Sequence, residues 1–121
     1  MSKTLTQEYV DAFAAAWFAA WNSYDLDRIL EHYAQDVIFS SPFAIEFAGG
    51  KATVDGKAAL REYWSKALAN FPDLKFTPRY AVPGVSSISL VSTSVRDLRA
   101  VESMVFNDEN LICRVYCHYQ P

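Results

Sequence analysis

Residues Asn22 to Pro42, NSYDLDRILEHYAQDVIFSSP, decide how this chain folds. Asn22 and Ser23 stop a long apolar helix. Asp25 can cap a short second helix, with Asp27 in its first turn and Leu26, Ile29, Leu30 and Tyr33 as its apolar face. Ala34-Gln35-Asp36 is predicted to be a turn, with Asp36 accepting backbone donors. Val37-Ile38-Phe39 is β-branched and aromatic, the core of a first strand. Pro42 lacks a backbone donor and ends regular pairing.

Upstream, Thr4 or Thr6 can cap the first helix. Leu5, Tyr9, Phe13, Trp17 and Trp21 recur at the helical period, with Val10, Ala14 and Phe18 beside them. From Ala12 the helix is apolar nearly all round, so it is expected to be covered on more than one side. Downstream, Phe43 to Ala48 is apolar without clear period. Gly49-Gly50-Lys51 is a turn signal and Ala52-Thr53-Val54 a short strand, which together predict a loose hairpin or flap. Asp55 can cap a third helix bearing Leu60, Tyr63, Trp64, Ala67, Leu68 and Phe71 on one face, and Pro72 stops it. Strands follow at about 74–82, 86–95, 98–107 and 110–119, with Asn107 to Asn110 as a hairpin turn. Consecutive strands joined by short turns form an antiparallel meander, and helices first with strands last gives an α+β domain over residues 1–121.

The 121 residues are 51% hydrophobic and include three Trp, seven Tyr and eight Phe. Such an aromatic excess must enter a core, a pocket or an interface. The net charge is −3 and there is no basic run, so nucleic acid is not an expected partner. The longest apolar run, Ala12 to Trp21, is half the roughly twenty residues a membrane-spanning helix needs. The first residues lack the apolar region of a signal peptide, and a cytoplasmic location is expected. Cys113 and Cys117 lie on one predicted strand, about 13 Å apart, too far to pair with each other. Two unpaired thiols fit a reducing compartment. No Cys/His cluster has metal spacing, and neither metal nor cofactor is expected.

The order of these motifs, helix, NxxDLD, short helix, YAxDVxFxxP, DGKxALREYW helix and four-strand meander, resembles the nuclear transport factor 2-like superfamily. Its SnoaL-like and ketosteroid-isomerase-like branches are the most similar. The resemblance implies a cone: a strongly curved mixed or antiparallel sheet wrapped around three helices, with an apolar pocket at the open end. It also implies a homodimer through the outer face of the sheet. Isomerases of this kind use an aspartate before the first-strand proline, a first-helix tyrosine and a late-strand acid. Carried over, these positions are Ser41, Trp17 and Glu102. Trp64 falls where a second tyrosine supports the first. Serine has no useful basicity without a neighbouring base, so ketosteroid isomerisation by that route is not expected.

Glu102 is the candidate catalytic residue. By strand alternation it shares a face with Leu98, Ala100, Met104 and Phe106, where desolvation would raise its pKa and fit it for acid–base work. The bland alternative is an outward or arginine-paired carboxylate. Trp17, Trp21, Tyr33, Phe39, Ser41, Tyr63, Trp64, Met104 and Tyr119 are candidate pocket walls, against plain core packing. On the last strand, Cys113, Val115, Cys117 and Tyr119 are assigned inward, with Arg114, Tyr116 and His118 outward. His32 is expected to be exposed. Ser87 and Ser89 share a face with Val91 and Thr93, where small side chains would let a second subunit approach. Two functions follow. One is a protein that binds an apolar or aromatic small molecule, with or without an accessory or dimerisation role. The other is an isomerase, cyclase or dehydratase using Glu102.

Overall fold

The computed structural model describes residues 4–121. Its elements run α1 (Gln7–Asn22), α2 (Leu26–Leu30), β1 (Tyr33–Ser40), α3 (Pro42–Phe47), β2 (Thr53–Asp55), α4 (Lys57–Asn70), β3 (Thr77–Gly84), β4 (Ser87–Thr93), a 3-10 turn (Val95–Asp97), β5 (Arg99–Phe106) and β6 (Ile112–Gln120). The six strands form one sheet in the order β2-β1-β6-β5-β4-β3. All pairs are antiparallel except β1–β6, which is parallel, so the sheet is mixed and remains open. The predicted α+β class and the four-strand meander hold.

Helix starts follow local chemistry. Thr6 caps α1 by accepting from the Tyr9 N–H, and Asp25 caps α2 by accepting from Arg28 N–H. Among the described residues four α-helices form rather than three. Residues 42–47, expected in a loose hairpin or flap, are helical because Ser41 supplies an N-cap and Pro42 a preset first turn. Residues 34–36, expected as a turn, instead belong to β1, which already begins at Tyr33. Asp55 does not cap α4: it ends β2, and Gly56, at φ 93°, takes the N-cap position without a side-chain bond. Pro83-Gly84 lies inside β3, and the turn falls at Val85-Ser86, where Ser86 has φ 48°. The α1 helix is covered on one side only: Ala12, Ala15, Ala16 and Ala19 are exposed, while Val10, Ala14, Trp17, Phe18 and Trp21 are buried.

Register sorts the meander into two faces. Ala81, Leu90, Glu102 and Cys117 lie side by side on the inner face, as do Ile88, Met104 and Val115. The adjoining outer rows are Tyr80, Val91, Val101 and His118, then Val82, Ser89, Ser103 and Tyr116. The inner rows are buried against α1, α2 and α4 in one core. On the outer face Tyr80, Val82 and Tyr116 are 63%, 45% and 46% exposed. His118 faces outward as expected, whereas His32 is half-buried, edge-on to Phe13 at 5.5 Å.

Candidate functional site

The helices and the inner face of the sheet leave a cavity of about 70 Å³. Its base is a network of rings contributed by separate elements. Trp21 from α1 meets Trp64 from α4 edge-on at 4.8 Å, and Phe39 from β1 meets Trp64 at 5.4 Å. Phe76, just before β3, packs on Trp21 at 5.4 Å. Edge-to-face pairs of this kind add roughly 0.5–1.5 kcal/mol each beyond burial. They hold the base in one arrangement.

The mouth is built differently. Phe43 and Phe47 come from the short helix α3, Phe71 and Leu74 from the segment after α4, and Ser94 and Val95 from the β4–β5 connection. Asn22 and Tyr24 hold the segment after α4. The Asn22 amide donates to Phe76 O and accepts from Phe76 N, at 3.0 and 2.9 Å. The Tyr24 hydroxyl donates to the Leu74 carbonyl at 2.5 Å. Tyr24 itself has φ 62°, a left-handed conformation uncommon outside glycine. The opening motif therefore shapes the mouth of the cavity as well as the helix-to-strand passage.

Of the residues expected to line a pocket, Trp21, Phe39, Ser41, Tyr63, Trp64 and Tyr119 do so, together with Glu102. Trp17, Tyr33 and Met104 do not. They are 1%, 1% and 0% exposed and belong to the core behind the cavity. Trp17 is occupied there: its indole N–H donates to the Tyr33 hydroxyl at 2.9 Å. Trp21 has no such bond. Its indole nitrogen is buried without a partner of acceptable hydrogen-bond geometry, although it lies near enough to favour the ionised form of Tyr33. Burial, then the charge of Glu102, pushes the Tyr33 hydroxyl well above the usual phenol range. Ring contacts from the mouth, Phe43, Phe47 and Phe71, were missed. Ser41-Pro42 as a cap-and-start pair, with Phe43 and Phe47 one turn apart, is the signal that could have found two of them.

Glu102 is 6% exposed on the cavity wall. Among the described residues it makes no ion pair. One carboxylate oxygen accepts a weak bond from the Cys117 thiol at 3.4 Å. Burial pushes its pKa from 4.5 to about 7, and the thiol bond opposes this only in part. Burial first, then the Glu102 charge, likewise raises the Cys117 thiol, which stays protonated and is a poor nucleophile. Tyr63 is pushed up to about 12, chiefly by burial, and Tyr119 is raised further by the same cause. The Ser41 hydroxyl accepts from Phe43 N at 3.2 Å, and its hydrogen bonding favours ionised Cys117 and Tyr119 against the larger effect of burial. The cavity therefore has one acid that changes charge near neutrality, set beside hydroxyls and a thiol that do not. Among the described residues no three His, Cys, Asp or Glu side chains converge to hold a metal ion. No helix among them is long and apolar enough to cross a membrane.

A curved open sheet folded over helices, with an aromatic cavity and one buried acid, defines a small α+β cone of the nuclear transport factor 2-like class. Within that class the chain belongs to the SnoaL-like domain family, which matches residues 14–109. A SnoaL-like protein of unknown function from Burkholderia thailandensis is 32% identical, with a TM-score of 0.91 over 97% of this chain and 99% of its own. A putative polyketide cyclase from Sinorhizobium meliloti shares the fold at 14% identity and TM-score 0.75, over 94% of this chain and 100% of its own. A putative ketosteroid isomerase from Kribbella flavida does so at 18% and 0.72, over 95% and 80%. No curated protein matches the chain significantly.

Proposed function

We propose that this protein binds a small apolar or aromatic molecule in the cone cavity, with Glu102 as the group that meets its polar end. The observation that carries this reading is the composition of the cavity wall. It is made of aromatic rings from several elements, and its described lining residues include one carboxyl, bonded only weakly by a thiol, and no basic side chain. A wall that offers rings and one proton-exchanging acid suits a flat, uncharged molecule bearing a carbonyl or hydroxyl. The test is titration with the neutral fluorescent probe N-phenyl-1-naphthylamine, together with native mass spectrometry of the purified protein. Saturable binding at one site that quenches Trp21 and Trp64 supports the reading. No saturation and no co-purified molecule would reject it.

A second reading is catalytic, and one observation favours it: Glu102 lines the cavity, where burial pushes its pKa up to about 7. A carboxyl of this kind can take a proton from carbon beside a carbonyl and return it elsewhere, as isomerases and some cyclases and dehydratases require. Hydrogen–deuterium exchange at the α-carbon of 2-tetralone is a direct assay. The rate should rise through a midpoint near pH 7. Glu102→Gln should keep probe affinity and lose the exchange. Exchange that survives in Glu102→Gln removes this residue from any mechanism.

The same proposal includes a homodimer through the outer face of the sheet. Exposed Tyr80, Val82 and Tyr116 flank Ser89 and Ser103, whose hydroxyls lie 2.9 Å apart. Small side chains bordered by apolar ones allow close approach of a second sheet. Light scattering at micromolar concentration should give twice the chain mass, and Tyr116→Arg should halve it. A monomer in the unsubstituted protein refutes the dimer.

A further inference from the structure

The cavity is too small for the molecule its walls suit. An apolar cavity of about 150 Å³ takes benzene, and sites for larger ligands run to roughly 300–1,000 Å³. This cavity holds about 70 Å³. A groove of about 370 Å³, edged by Lys51, Thr53, Asp55, Glu62 and Lys66, lies on the far side of Phe47 and Tyr63, which line both spaces. Helix α3, which carries Phe43 and Phe47, is part of the partition between them. Displacing it would join cavity and groove into a space of the ordinary size of a ligand site.

Ala44, 0% exposed, and the Phe43 ring, edge-on to Tyr119 at 4.7 Å, tie α3 inward; from outside, one side chain bridges it to its neighbours. The Arg96 guanidinium lies over the Phe43 ring at 5.3 Å and over the Phe71 ring at 5.6 Å. It also pairs with Glu46 of α3 at 3.4 Å. Arg96 thus touches α3 twice and the end of α4 once, from a third element. Its own backbone is set in the left-handed region, φ 56° and ψ 27°, and Asp97 follows at φ 57°. Two successive non-glycine residues there are costly and re-aim the chain, which brings the guanidinium across the mouth. The contacts it makes are exposed and individually weak, since a surface cation–π contact contributes about 0.5–1 kcal/mol. By contrast, the rings of the base are buried. The partition is therefore the more weakly tied part of the wall.

We infer that Arg96 is a latch on α3, and that releasing it lets residues 42–47 swing outward so that cavity and groove together form the binding site. The ligand's part in this rests on the binding reading above; the opening itself does not. The unliganded protein would spend most of its time closed, and association would be limited by the latch.

The test uses Arg96→Asn, because asparagine tolerates the left-handed backbone and removes all three contacts. Losing two cation–π contacts and a surface ion pair should raise the open fraction about tenfold. Amide exchange over residues 43–48 should quicken by about that factor, with β5 amides unchanged. Acrylamide should quench tryptophan fluorescence more strongly, and N-phenyl-1-naphthylamine should associate faster. Glu46→Gln should move each readout in the same direction by less. Unchanged exchange at 43–48 with unchanged quenching overturns the latch, even if the probe binds. Faster exchange and quenching without probe binding by either protein uphold the latch and reject the ligand-binding reading.

Discussion

The base and the mouth of the cavity are built from the same residue type to opposite effect. At the base, Trp21, Trp64, Phe39 and Phe76 are at most 6% exposed; the first three come from α1, α4 and β1, and Phe76 is pinned through its backbone by Asn22. At the mouth, Phe43 and Phe47 ride on a six-residue helix, and Phe47 is 37% exposed. Aromatic composition alone does not make a rigid wall. Rigidity comes from how many buried partners each ring has and from the length of the element that carries it. The base rings share the cavity wall with Glu102, and the mouth lies between that wall and solvent.

Substitutions at the base should therefore strike stability, and the largest loss is expected at Trp64. It is 3% exposed and contacts Trp21, Tyr33 and Phe39 edge-on. Trp64→Ala should cost about 3–5 kcal/mol in denaturant unfolding. A loss as small as those at the mouth would break the contrast. Glu102→Gln comes next and has the opposite sign. The folded protein prefers the neutral carboxyl, so this group's contribution to stability is complete below the unfolded pKa of 4.5. It is lost as pH rises through the folded value of about 7 and is flat above it. The shift corresponds to about 3 kcal/mol. Glu102→Gln should remove this decline, leaving the variant more stable than the parent above pH 7 by an amount of that order. Equal pH profiles for the two proteins would mean the carboxyl is solvated.

Tyr33→Phe should cost less, about 1–3 kcal/mol, because it strands the buried Trp17 N–H that now donates to the hydroxyl. Proton exchange in the cavity should keep its midpoint, since Tyr33 lies behind the wall and not on it. A shifted midpoint would make Tyr33 part of the acid–base apparatus.

The same contrast explains what could be read from the residues alone. Most of the base was legible because it rests on periodicity: the helical spacing that carries Trp21, the one-face run in α4, and the alternation that grouped Glu102 with Ala100 and Met104; Phe76, in an irregular stretch, was not. Alternation gives the face but not the depth. Met104 shares that inner face with Glu102 yet is sealed in the core, and Tyr33, expected on the short second helix, opens β1 instead, so both fell behind the wall. The mouth was illegible because nothing periodic marks it. Residues 43–47 are too few to show a period, and only the capping chemistry of Ser41 declares a helix. Arg96 reaches Phe43 and Phe71 through two left-handed residues that no turn motif announces.

Ser41 joins the two regions, and the smallest effect is expected there. It lines the cavity at 5% exposure, at the position onto which the sequence resemblance carries the isomerases' proton-moving aspartate. Its hydroxyl is instead engaged as the N-cap of α3, accepting from Phe43 N. Losing such a cap costs about 1 kcal/mol. Ser41→Ala should lower stability by that amount and loosen amide exchange over α3, because the cap anchors one end of the helix that Arg96 holds at its side. It should leave the midpoint of proton exchange near pH 7, because burial of Glu102, not the serine, sets that value. If Ser41→Ala abolished proton exchange while α3 stayed as protected as before, the serine would be chemical rather than structural. The division between a reactive base and a movable mouth would then fail at the residue where they meet.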